Sequence, residues 1–482
     1  MAERMLKFTV TPRRMPEKRD AAQRSDDFLE IYGDFIDAKA TEQASRCSQC
    51  GVPFCQSHCP LHNNIPDWLR MTAEGRVQEA YDLSQATNAM PEICGRICPQ
   101  DRLCEGNCVI EQSGHGTVTI GAVEKYLSDK AWEEGWVRPL VAGPSRGQSV
   151  GVVGAGPAGL AAAERLREGG YDVVVYDRHD RPGGLLIYGI PGFKLEKDVV
   201  ERRTRRLAEG GVVFQLGFEV GKDATLEQLR ARHDAVLIAT GVYAARDLTA
   251  PGAGSNGVVA ALDYLIASNR QSLGDEVAEI ASGQLNAEGK DVVVVGGGDT
   301  AMDCVRTAIR QGAKSVSCLY RRDKANMPGS MREVANAEEE GVHFEWLAAP
   351  KAVKGDADAV TGVHAARMRL GSPDASGRQS PEEVPGGDFD KQAQLVIKAL
   401  GFEPENLPQL WSAPDLKVSR SGTVRADFRT QMTNLDGVFA AGDIVRGASL
   451  VVWAIRDGRD AADSIHSYLT AKASAPALAA AE

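Results

Sequence analysis

The chain carries one strand, glycine turn and helix pattern twice, and that repetition restricts its fold more than any other feature. The first copy, QSVGVVGAGPAGLAAAERLREGGYDVVVYDR from Gln148, runs an apolar strand (Val150 to Val153) into Gly154-x-Gly156-x-x-Gly159. An alanine-rich helix and a second strand, Val173 to Tyr176, follow, and Asp177 stands 23 residues after Gly154. A lone GxGxxG is weak evidence; with strand, helix and acid in place it is a dinucleotide fingerprint. Gly154 permits the tight turn, Gly156 lets backbone approach a pyrophosphate, and Gly159 lets the helix pack closely on the strand. The helix N-terminus receives the phosphates, and Asp177 accepts hydrogen bonds from a ribose diol.

The second copy, KDVVVVGGGDTAMDCVRTAIRQGAKSVSCLYRR from Lys290, has its strand at Asp291 to Val295 and its turn at Gly296-x-Gly298-x-x-Ala301. Where the first copy ends YDR, the second ends YRR, which puts Arg321 and Arg322 at the ribose. An acid there repels a 2′-phosphate, whereas two guanidiniums bind it. The blander reading of the arginines is an exposed, charged strand end. The pair of sites therefore predicts FAD in the first and NADPH in the second. DAVLIATG, ending in Thr240 and Gly241, reads as a buried strand at the crossing between two domains. GVFAAGDIV (Gly437 to Val445) reads as another, with Asp443 placed to meet the flavin's ribityl or pyrophosphate region. A helix from about Val451 follows, and its positive N-terminal end would stabilise reduced flavin.

Eight of the ten cysteines lie between residues 47 and 108. They form two boxes: Cys47, Cys50, Cys55 and Cys59, then Cys94, Cys98, Cys104 and Cys108. Structural zinc also takes four thiolates, but its ligand pairs are usually separated by a longer loop. Short boxes, the first with proline after its last cysteine, point instead to iron–sulfur, with two 4Fe-4S clusters for eight thiolates. Pairing by box is the simplest assignment. Cys59 can instead cross to the other cluster, as final cysteines do in two-cluster ferredoxins. Glu124 is a further candidate ligand, and Cys94 would then be spare. Cys304 and Cys318 stand apart and read as buried apolar residues; neither has the spacing of a redox dithiol near a nucleotide turn.

The formal net charge of −11 argues against a broad nucleic-acid-binding face. The basic run ERRTRR (Glu201 to Arg206) reads as a solvated helix face. No apolar run is long enough to span a membrane, and the first residues have no signal-peptide core. The expected location is the cytoplasm, where thiols stay reduced and a disulfide framework is disfavoured.

Together with RPGGLLIYGIPGFKLEK (Arg181 to Lys197), GGGDTAMDC and AAGDIV, these features closely resemble the small (beta) subunits of bacterial NADPH-dependent glutamate synthase, over roughly Thr41 to Leu469. More distant resemblances are to the N-terminal half of dihydropyrimidine dehydrogenase and to the NADPH-binding subunit of electron-bifurcating transhydrogenases. The resemblance implies FAD on Gly154, Gly156, Gly159 and Asp177, with contacts from Gly184, Leu185, Thr240, Gly241, Gly442 and Asp443. It implies NADPH on Gly298, Asp299, Thr300, Arg321 and Arg322. In the dihydropyrimidine dehydrogenase relative the clusters are ligated in a crossed manner with one amide ligand, at the position that here is Glu124. The implied partner is a large (alpha) subunit carrying FMN, a 3Fe-4S cluster and the glutamine amidotransferase site, in higher oligomers of paired subunits. Nothing in this chain resembles those parts.

The expected activity is NADPH oxidation at FAD, with electrons leaving singly through the clusters to the partner's FMN, where L-glutamate is made from L-glutamine and 2-oxoglutarate. No acid–base catalytic residue is called for. The rivals are an electron-input subunit of another flavo-iron–sulfur reductase and a non-catalytic, zinc-stapled NADPH-sensing module. The expected fold is α/β with two doubly wound, Rossmann-type dinucleotide domains, one inserted in the other, and a mainly helical iron–sulfur domain. The boundaries read 1–146 iron–sulfur, 147–289 FAD, 290–400 NADPH, 401–470 FAD resumed and 471–482 a disordered tail, with 271–289 a surface excursion.

Overall fold

The computed structural model describes residues 5–356, 359–375 and 377–479 of the chain. Two five-stranded, all-parallel sheets organise it. In the first, Ser149–Val153 is central, flanked by Asp172–Asp177 and Ala235–Ile238, with Val213–Leu216 and Val438–Ala440 outermost. Parallel strands buried on both faces read as continuous apolar runs, as Val150 to Val153 does. The strand Val438–Ala440 returns from far along the chain to complete this sheet, so the first domain is interrupted by the second.

The second sheet repeats the plan: Asp291–Val295 lies between Leu395–Lys398 and Ser315–Tyr320, with Val258–Ala260 and His343–Trp346 at the edges. This moves the boundary expected at residue 290. Val258–Ala260 pairs with Leu395–Lys398, and Ala261, Tyr264 and Leu265 of the next helix are buried in the second core. Residues 271–289 are also more than an excursion: Ile280, Leu285 and Ala287 are buried in that same core. An antiparallel sheet unread in the sequence, Ala348–Gly355, Val360–Pro373 and Gln379–Gln392, follows the second domain's last helical crossover.

The N-terminal region is mainly helical, with Asp37–Ala44, Ile65–Ala73, Val77–Thr87, Pro91–Ile97 and Ile120–Glu133 around Trp68, Leu69, Val123 and Leu127. Three sequence expectations change. The run Glu201–Arg206 is not a solvated face. Arg203 is 1% exposed and pairs with Glu92 at 2.7 Å, and Arg206 is buried against Glu164. Their carboxylate partners lie far away in sequence, which local charge patterning cannot see. The strand read over Gly437 to Val445 ends at Ala440, because Gly442 turns at φ +78° into the short helix Asp443–Arg446. The final helix runs Val451–Ala479 through most of the expected disordered tail, as the high helix propensity of alanine favours; residues 480–482 lie outside the described residues. No helix among the described residues is long and apolar enough to cross a membrane.

Candidate functional site

Each glycine turn sits where the strand order of its sheet reverses, the crevice in which doubly wound folds bind ligands. In the first, Gly154 has φ +112°, and a Cβ there would lie 2.3 Å from the Ala239 carbonyl oxygen. A Cβ on Gly159 would fall 1.9 Å from the Gly154 oxygen, so the helix–strand approach expected of it is real. Gly156 faces open space, with nothing within 4 Å of its missing Cβ. The helix Pro157–Glu168 starts there with no side-chain cap, which leaves its first N–H groups free for phosphate.

Asp177 is 8% exposed and lines a cavity of about 230 Å³ with His179, Thr240, Tyr243 and Trp411. One of its oxygens accepts from Ala155 N at 2.7 Å, and the other from His179 N and Nδ1 at 2.9 and 3.0 Å. The acid therefore also braces the glycine turn. Thr240 Oγ1 and Asp443 Oδ1 are buried with no hydrogen-bond partner. Burial pushes the Asp443 carboxyl up to about 6 against the pull of the Ser449 N–H. Such orphaned groups call for a ligand. Gly184 (φ +53°) brings the start of the short helix Leu185–Tyr188 against the turn, where a Cβ would meet Gly156 Cα at 2.8 Å. From the other side, the helix beginning at Val451 packs so closely that a Cβ on Gly458 would meet the Ala158 oxygen at 2.1 Å. These residues fit a dinucleotide.

The second turn copies the first. A Cβ on Gly296 (φ +150°) would meet the Ala399 oxygen at 2.2 Å, while Gly298 faces open space. Here the cavity is about 720 Å³, lined by Gly296 to Gly298, Thr300, Arg321 and Arg322. Arg322 Nε is buried without a partner. Asp299 is not on the cavity wall; it accepts the Ser330 N–H at 2.8 Å and so ties the turn to the next loop. Two arginines that sequence reasoning missed, Arg246 and Arg378, also line this cavity. Both come from segments without a motif, far from the turn in sequence.

The cysteines gather in two sets, but not by box. Cys47, Cys50, Cys55 and Cys108 line one small cavity. Burial pushes the Cys47 thiol up to about 11 and the Cys55 thiol up to about 12, with Cys108 and Cys50 adding to both. In the other set, burial and then Glu124 and Cys94 raise Cys59, to about 11. A hydrogen bond with Cys94, then burial, lift Cys98 well above an ordinary thiol, and burial does the same for Cys104, with Glu105, then Cys59 and Glu124, and last Cys55 adding to it. The boxes pack against each other and exchange their last members, so Cys108 joins the first box and Cys59 the second. The placement of Cys108 is in line with the crossed alternative more than with pairing by box.

Cys94 and Glu124 both stand in the second set. Glu124 Oε1 accepts from Asn63 Nδ2 (3.1 Å), Asn88 Nδ2 (3.2 Å) and Ser84 Oγ (3.5 Å), and burial pushes its carboxyl up to about 8. Among the described residues no three His, Cys, Asp or Glu side chains are gathered to hold one metal ion as they stand. Buried thiols with raised pKa need a cation to become thiolates, and four sulfurs around a small void suit the body of a cluster. Cys94 and Cys98 of the second set belong to the core of the first nucleotide domain, with Leu186 and Ile187, and Cys59 packs on both that core and the helical one, where Cys104 and the first set's Cys47, Cys55 and Cys108 also lie. Cys304 and Cys318 are fully buried, as expected.

Residues 24–136 match the family described as dihydropyrimidine dehydrogenase domain II, 4Fe-4S cluster, and residues 148–458 the pyridine nucleotide-disulphide oxidoreductases. The chain is 68% identical over 480 residues to the glutamate synthase (NADPH) small chain of Azospirillum brasilense, covering 100% of this chain and 99% of the relative. It is 46% identical over 476 residues to that of Escherichia coli, covering 97% and 100%. The putative oxidoreductase AegA of Escherichia coli is 46% identical over 471 residues, covering 96% of this chain and 71% of AegA. Among solved structures, FprA of Mycobacterium tuberculosis in complex with NADPH aligns with a TM-score of 0.58 at 21% identity, covering 68% of this chain and 86% of FprA. That likeness shows the doubly wound fold.

Proposed function

Because the chain belongs to the family of glutamate synthase (NADPH) small chains, we propose that it is the electron-input subunit of a glutamate synthase. It oxidises NADPH and delivers the electrons to a large subunit that forms L-glutamate from L-glutamine and 2-oxoglutarate. The observation that carries this reading is the joining of three sites in one chain: an acid-marked dinucleotide cleft, an arginine-marked one, and eight buried or half-buried thiols in two sets.

Gly154, Gly156, Gly159, Asp177, Gly184, Leu185, Thr240, Gly241, Gly442, Asp443 and Val451 hold FAD. Gly296, Gly298, Thr300, Arg321 and Arg322 hold NADPH, with Asp299 fixing the turn beneath it. FAD held there would supply the change from a two-electron hydride donor to one-electron carriers, and clusters held by the two thiol sets would supply the one-electron route out. The protein positions and insulates. The second thiol set, against the FAD domain's core, faces the entry side. The first lines its cavity together with exposed Phe54 and Val109 and faces the exit side. The partner carries FMN and a 3Fe-4S cluster, and the pair works in the cytoplasm as a higher oligomer.

The test is co-expression with a large amidotransferase subunit. The two chains should co-purify, and NADPH oxidation should depend on both glutamine and 2-oxoglutarate. A pair that oxidises NADPH equally well without them contradicts the reading.

A further inference from the structure

The antiparallel hairpin Val360–Pro373 and Gln379–Gln392 has no counterpart in the first nucleotide domain. Its strands close with Pro373 paired to Gln379, and the tip between them brings Arg378 onto the wall of the second cleft. Nearly every other cation of this sheet is matched by a nearby acid. Lys351 pairs with Glu383 (2.6 Å), Lys354 with Asp390 (2.5 Å), Arg367 with Glu345 (2.9 Å) and Arg369 with Glu382 (3.1 Å).

Arg378 has no ion pair among the described residues, and neither have Arg321 and Arg322, whose strand end lines the same cavity. Arg322 Nε is, in addition, buried without a partner. Arg246, the fourth guanidinium on that wall, is already held by Glu403 at 3.0 Å. Three uncommitted guanidiniums thus meet in one cleft of a chain whose formal net charge is −11. Like charges gathered without counterions repel, and a doubly charged phosphate monoester relieves that repulsion while taking charge-assisted hydrogen bonds. A ribose diol, as in NADH, offers neither.

We propose that Arg378, delivered by the hairpin tip, is the third guanidinium of the 2′-phosphate site and a specificity-determining residue for NADPH over NADH. This rests on the reading that the second glycine turn holds NADPH. Arg321 and Arg322 leave the sheet together, so they engage the phosphate from one element; Arg378 engages it from another and makes nucleotide choice depend on the hairpin.

The test uses the full chain and two probes, adenosine 2′,5′-bisphosphate and 5′-AMP, which differ only in the 2′-phosphate. Wild type should bind the bisphosphate more tightly. Arg378→Ala should lose about tenfold or more in bisphosphate affinity with 5′-AMP affinity unchanged, and Arg378→Lys should recover part of the loss. Equal weakening of both probes, or no change in either, overturns the role of Arg378 while leaving the NADPH site standing. A wild type that binds the two probes alike overturns the NADPH reading and this proposal with it.

Discussion

Arg321 and Arg322 replaced together by alanine should raise the KM for NADPH by about a hundredfold, since each charge-assisted contact is worth on the order of a factor of ten. The KM for NADH should hardly move, and steady-state kinetics with both nucleotides reads the difference directly. A second single-residue prediction concerns Glu340, whose carboxylate is buried among Arg24 (2.9 Å), Arg306 (2.8 Å) and Arg310 (2.7 Å). Burial pushes it up, but the hydrogen bonds and charges of Arg306 and Arg310 together outweigh that and hold it at about 2, below its ordinary 4.5. A depressed carboxylate stabilises the fold above its unfolded pKa, so this contribution should be complete above about pH 5 and be lost as pH falls towards 2. Glu340→Ala leaves three guanidiniums facing one another and should cost about 3–5 kcal/mol, seen as a lower denaturation midpoint at pH 7. At this scale the sequence was informative where a residue's role is local. Gly154, Gly159, Gly296 and Gly298 sit as their spacing implies. It misled where a role depends on a distant partner, as for Arg203, read as solvated but buried against Glu92, and it was silent on Arg24 against Glu340.

The two cysteine boxes are elements whose spacing announces iron–sulfur but whose division does not follow chain order. Cys108 lies with Cys47, Cys50 and Cys55 around one cavity, whereas Cys59 feels Cys94, Cys98 feels Cys94 and Cys104, and Cys104 feels Cys59 more than Cys55. Cys108→Ser and Cys47→Ser should therefore abolish the same electron paramagnetic resonance signal, and Cys59→Ser and Cys98→Ser the other. If Cys108→Ser and Cys98→Ser removed the same signal, pairing by box would be reinstated. The glycine turns, their strands and the helix from Val451 were legible because strand and helix periods and glycine spacing are short-range signals. The antiparallel hairpin was not: its second strand is polar and largely exposed, and the first buries Val360, Val363, Ala365 and Ala366 without a strict alternation that would mark a strand. The strand Val258–Ala260 was missed for a related reason, being three residues long and joined to its sheet only by pairing with residues more than a hundred positions later.

Across the whole molecule, the three regions are tied by buried charge. Arg24 of the N-terminal arm, Arg306 of the second nucleotide domain and Phe193 of the first converge, with the Arg306 guanidinium 4.4 Å from the Phe193 ring centre. Arg102, between the second-box cysteines, donates to the Pro328 carbonyl at 2.7 Å beside the NADPH turn. Such contacts hold both nucleotide domains against the thiol-bearing region, as a relay needs. The sites were legible as a list along the chain, while their mutual placement needed the long-range contacts that only the fold supplies. The most direct measurement is the metal content and absorbance of the full chain purified without oxygen, before and after NADPH. The account predicts iron and sulfide, about eight of each per chain for two four-iron clusters, with flavin bands on a broad brown shoulder that bleaches when NADPH is added. Zinc in place of iron and sulfide, or a spectrum that NADPH leaves unchanged, would contradict it.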